Sequence, residues 1–168
     1  ELTTNNKKAR KFFNQGVGQL HGFWYFEAER SFRQVAALDP DCAMAYWGMA
    51  MANAKNKKRG REFIAQAQKL DTSDRERRYI AALEKYYRDD DERSSKKHKG
   101  DYADDLKELM DDFPEDLEAK AFYALQLYKN KSAIKIKDKQ VPNKILNEVL
   151  DQKPLHPVHH YRIHLWDE

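Results

Sequence analysis

The chain has 168 residues and a mass of 19.9 kDa, the size of one compact domain or a short repeat array. Apolar residues make up 40% and charged residues 35%, so a core lies under a heavily charged surface, and 12% aromatic content argues against a disordered tail. A net charge of +3 is too small to call for nucleic acid, and a single cysteine excludes an internal disulfide framework.

The longest mostly apolar stretch, Cys42 to Ala52, is 11 residues, short of the roughly 20 that a membrane-spanning helix requires. The chain starts at Glu1 with no basic-then-apolar leader, so it is expected to be a piece of a longer protein whose targeting signal is gone. Six glycines and five prolines fall mostly between periodic segments, which predicts a nearly all-helical chain.

The first helical hairpin is expected over 9–40, where Phe12, Gly16, Ala28, Phe32 and Pro40 recur at intervals of 4, 12, 4 and 8. Small Gly16 and Ala28 let two antiparallel helices approach, Phe12 and Phe32 fill the space beside the crossing, and Pro40 stops the second helix. A second hairpin is expected over 42–71, where Leu70-Asp71-Thr72 echoes Leu38-Asp39-Pro40 after 32 residues. A third, 74–113, carries a charged insertion from Asp89 to Gly100. A fourth, 117–152, carries a Lys-rich connector from Lys129 to Lys144. The segment 157–168 reads as the opening helix of a fifth, with Pro157 suited to its first position.

These intervals resemble the tetratricopeptide (TPR) pattern. The stretches Phe23-Trp24-Tyr25-Phe26-Glu27-Ala28-Glu29-Arg30-Ser31-Phe32 and Leu38-Asp39-Pro40-Asp41-Cys42-Ala43-Met44-Ala45-Tyr46-Trp47-Gly48 look like a group of largely uncharacterised bacterial TPR-containing proteins. Later pieces fit the same group: Arg75 to Ile80, Ala121 to Leu125, and His156-Pro157 followed by His160-Tyr161 and Ile163-His164. The resemblance implies an all-α, right-handed superhelix of hairpins acting as a non-catalytic scaffold for a protein or peptide. It also implies an exported, periplasmic setting in a bacterium, with the cytoplasm as the alternative.

On that template the concave face carries Arg10, Phe13, Val17 and His21 from the first hairpin and Met44, Trp47, Met51 and Lys55 from the second. Aromatic and methionine walls with basic ends suit an apolar peptide segment; the other reading is that Phe13, Trp47 and Met51 pack against neighbouring helices. The basic cluster Lys55, Lys57, Lys58, Arg59 and Arg61 lacks interleaved aromatics and reads as a solvated face, not a nucleic-acid site.

Cys42 stands at a helix start, where the dipole favours a thiolate, or is a small buried residue of a packed helix. No phosphate loop, metalloprotease helix or serine elbow is present, so no catalytic residue and no cofactor is expected.

The remaining chemical signal is four histidines in nine residues, His156, His159, His160 and His164. His160, His164 and Asp167 fall at i, i+4 and i+7 on one helical face, a candidate divalent-metal site with His156 as a fourth ligand; the alternative is packing histidines with satisfied nitrogens. Two competing functions follow, a metal-binding protein or enzyme built on that cluster and a subunit that assembles with its own copies. The last helix has Val158, Tyr161 and Leu165 on one side and Ile163 and Trp166 on another, with no following helix to cover both.

Overall fold

A computed structural model describes residues 2–88, 95–134 and 138–167, and the described residues are helices and connections without a strand. The chain is all-α. Two compact units divide it, residues 1–88 and 89–168.

The first unit holds α1 (Lys7–His21), α2 (Tyr25–Leu38), α3 (Ala43–Ala52), α4 (Lys57–Ala67) and α5 (Asp74–Tyr86). Start signals are explicit. Asn6 accepts from the amides of Lys8 and Ala9 to cap α1, Asn56 accepts from Arg59 for α4, and Ser73 with Glu76 forms a reciprocal capping box on α5. The sequence of α3, Ala-Met-Ala-Tyr-Trp-Gly-Met-Ala-Met-Ala, is apolar all round, and such a helix is stable only when surrounded. It takes the centre of the unit, packing on α1, α2, α4 and α5.

Phe32 from α2 is fully buried, and its ring lies where side chains on Gly16 of α1 and Gly48 of α3 would stand. The expectation that small Gly16 permits a close crossing therefore has a specific form: the ring of Phe32 fills the space that the missing side chains leave, with Phe13 edge-on at 5.5 Å. Tyr87 similarly lies against Gly60, and its hydroxyl donates to the carbonyl of Ala50 at 2.6 Å.

The N-terminal segment is tied into this unit. Thr3 donates through its amide and hydroxyl to Glu76, the Thr4 hydroxyl donates to Asp39, and Asn6 Nδ2 donates to Leu38 O at 3.0 Å.

The second unit holds α6 (Ser95–Asp112), α7 (Leu117–Lys129), the short α8 (Lys131–Ile134), α9 (Gln140–Gln152) and α10 (His159–Trp166). Here α7 is the central helix, capped by Asp116 and packed on α6, α8 and α9, with α10 on α9. The span read as a third hairpin, 74–113, is divided: α5 belongs to the first unit and α6 to the second. Of the charged insertion, residues 89–94 lie outside the described residues, and Ser95 to Gly100 forms the first turns of α6.

The Lys-rich connector contains α8, with 135–137 outside the described residues. The final helix starts two residues later than Pro157 suggested, because the buried amide of Val158 donates to His156 Nδ1 at 3.2 Å and holds a turn there. Its two apolar sides separate as expected, Val158, Tyr161 and Leu165 buried, Ile163 and Trp166 exposed. Among the described residues no helix is long and apolar enough to cross a membrane.

Candidate functional site

The concave-face candidates do not form an open surface. Val17, His21, Met44 and Trp47 are buried, with Trp47 only 2% exposed and edge-on to Tyr79 at 5.4 Å. Phe13 and Arg10 are half-buried, the first on Phe32 and the second donating to Thr4 O at 2.7 Å; Met51 is half-buried and Lys55 is exposed. The reason lies in α3: a helix apolar all round sits at the centre of its unit, so Met44 and Trp47 go to the core. The groove is closed at four of its eight candidate positions.

Large apolar side chains reach the surface instead at the α1–α2 turn, where Trp24 is 64% and Phe26 71% exposed. Backbone geometry explains their display. The amide of Trp24 donates to Gln19 O at 2.9 Å and that of Phe23 to Leu20 O at 3.0 Å, the paired bonds of a Schellman helix ending. The left-handed position of that ending, at which glycine is usual, is filled by Phe23 with φ 60°. A non-glycine residue there is strained, and such strain concentrates at functional surfaces.

Phe23 stacks on Tyr25 with centroids 6.1 Å apart, so these two rings support the corner while Trp24 and Phe26 project from it. Sequence reasoning missed this pair, although a signal existed. In α2 the buried residues Ala28, Ser31, Phe32 and Val35 define one face, and Phe26 falls instead in register with exposed Arg30 and Arg33. The Arg30 guanidinium lies 6.0 Å from the Phe26 ring centre.

Below this corner, Glu29 gathers three helices. Its carboxylate accepts from Arg33 at 2.7 Å, from Asn53 Nδ2 at 2.8 Å and from Arg59. Burial alone would push this carboxyl up, but the hydrogen bonds of Asn53 and Arg33 and the two guanidinium charges hold it below the usual value. Arg33 and Arg59 also flank the Phe63 ring at 5.6 and 5.5 Å, whereas Lys57 and Lys58 are exposed. Residues 1–88 carry 17 Lys and Arg against 10 Asp and Glu, a net of +7 that the whole-chain value of +3 conceals.

The four clustered histidines divide into three arrangements. His156 is buried; its Nδ1 accepts from Val158, which leaves the proton on Nε2 facing Glu118 Oε1 at 3.1 Å. Both its nitrogens are thereby engaged, and His156 does not serve as a fourth ligand beside His160. His159 Nε2 donates to the Pro154 carbonyl at 2.8 Å. His160 and His164 face each other on α10, with their Nε2 atoms 2.9 Å apart. Asp167 is the exposed C-cap of α10 and does not complete a three-ligand group with them. Cys42, the residue preceding α3, is buried, and burial pushes its thiol up to about 11, so the helix start does not generate a thiolate.

No family model, curated protein or solved structure matches the chain.

Proposed function

We propose that the chain is a non-catalytic interaction module of TPR-like hairpins, and that it captures an acidic peptide segment with apolar anchors on the Trp24–Phe26 corner. The observation that carries this is the exposure of two large aromatics, Trp24 beside the strained Phe23 ending of α1 and Phe26 in the first turn of α2. Exposed apolar patches mark interaction surfaces, and aromatic anchors dominate the energetics of known interfaces.

The net positive charge of residues 1–88, with Arg30 beside Phe26, supplies the attraction for an acidic partner and sets its polarity. The hairpins α1–α2 and α3–α4 are the part of the fold in keeping with the TPR resemblance.

The test uses the full chain and a labelled peptide library in which aromatic or leucine anchors alternate with Asp and Glu, scored by fluorescence anisotropy. Trp24→Ala/Phe26→Ala should weaken binders by about 2 kcal/mol or more, as hot-spot aromatics do. Lys57→Ala/Lys58→Ala should act far less and chiefly at low salt. Retention of full affinity by the aromatic double variant, or failure of every acidic–apolar peptide to bind, refutes the proposal. Self-association of the free chain that the double variant abolishes would assign the corner to a second copy instead.

A further inference from the structure

Among the described residues, His160 and His164 are an imidazole pair that one helix holds edge-on, with their planes 63° apart. They sit one turn apart on α10, which packs on α9, with Tyr161 and Leu165 buried and Trp166 Nε1 donating to Asn143 at 3.4 Å. Both rings are half-buried. Their centroids stand 4.6 Å apart while the Nε2 atoms stand 2.9 Å apart, so the rings splay outward and their nitrogens lean together. One proton shared between the two nitrogens satisfies this geometry, and so does one cation.

The separation is one that a single cation can bridge. Ligand nitrogens lie about 2.0–2.1 Å from a bound first-row ion, so two of them are about 2.9 Å apart at a right angle and about 3.4 Å apart at the tetrahedral angle. The observed 2.9 Å fits the right angle. Adjacent positions of a square-planar or octahedral ion require it, and Cu²⁺ and Ni²⁺ take those geometries with imidazole, whereas Zn²⁺ favours the tetrahedron. We infer that His160 and His164 form a two-nitrogen chelate for a late first-row divalent cation of the Cu²⁺ or Ni²⁺ type, its remaining positions filled by water.

This assignment replaces the three-ligand face expected from spacing alone. Within the described residues no Asp, Glu, Cys or further His joins the pair with ligand atoms all within 4.8 Å of one another. Asp167 misses because it caps the helix: its amide donates to Ile163 O, and the residue lies at the exposed end of α10. His156 and His159 miss because each is held by the chain itself, at Glu118 and Val158 and at Pro154.

The experiment titrates the full chain, stripped of metal, with Cu²⁺, Ni²⁺ and Zn²⁺ by calorimetry and counts the nitrogens on bound Cu²⁺ by electron paramagnetic resonance. The expected result is one ion per chain, two imidazole nitrogens on copper, and Ni²⁺ bound more tightly than Zn²⁺. His160→Gln and His164→Gln should each weaken Cu²⁺ by about a hundred-fold, the loss of one arm of a chelate, while His159→Gln and Asp167→Asn keep wild-type affinity.

The copper spectrum of the unmutated chain decides the matter even if a variant unfolds. No binding, a single nitrogen on copper, or affinity indifferent to both substitutions overturns the chelate. Zn²⁺ bound most tightly overturns the right-angle assignment, and a loss in Asp167→Asn equal to that in His160→Gln restores the three-ligand face.

Discussion

Substituting Gly48 by alanine tests the packing on which the first unit depends. Two opposed effects act there. Alanine at a helix interior is favoured over glycine by about 1 kcal/mol. Against this, the new Cβ would overlap the Cγ, Cδ1 and Cε1 atoms of Phe32. The ring has little room to move, because Gly16 on α1 is also close, with an added Cβ there 2.8 Å from Cζ, and Phe13 closes the edge. Overpacking of this kind costs about 1–3 kcal/mol and tends to the upper part of that range when the neighbour is trapped.

Gly48→Ala should therefore lose about 1–2 kcal/mol net. Gly18→Ala in α1, where a Cβ meets nothing within 4 Å, should gain about 0.5–1 kcal/mol from the same propensity term. Urea unfolding followed by circular dichroism measures both, and shortening the ring by Phe32→Leu in the Gly48→Ala background should recover part of the loss, as a double-mutant cycle resolves. Equal stabilisation by the two alanine substitutions would refute the clamp around Phe32.

Two further outcomes are expected. Burial would raise the Glu76 carboxyl, but the hydrogen bonds from Thr3 and Ser73 outweigh it and hold the group below its usual value. Its contribution to stability is then complete above the unfolded value of about 4.3 and is lost as pH falls through the lower folded value. Glu76→Gln should cost about 1–3 kcal/mol at pH 7 and flatten that acid limb, and an unchanged pH profile in the variant would count against the network. Cys42 should stay unlabelled by a disulfide reagent at pH 8 in the folded chain and react on unfolding; prompt stoichiometric labelling of folded protein would contradict its burial and raised value.

Local signals in the chain mark the starts of several helices. Asn6, Asn56, Ser73 and Asp116 each cap a helix with their own side chain, a contact that spans two or three residues and needs no tertiary partner. The all-α class and the first two helical pairs follow from such signals and from the period of Ala28, Phe32 and Val35. The two apolar stripes of the last helix were legible for the same reason.

Tertiary structure decided which apolar faces were core and which were surface. Periodicity marks Phe13, Trp47 and Met51 as apolar on a face, but only the surroundings of α3 show that Trp47 lies inside. The clustered histidines divide in the same way. Spacing grouped His160, His164 and Asp167, yet the capping of α10 removed Asp167, the turn at Val158 and the carboxylate of Glu118 claimed His156, and the ring orientations brought two nitrogens to 2.9 Å. A helical register fixes which residues share a face, and it leaves side-chain direction to the hydrogen bonds and rings that each residue meets.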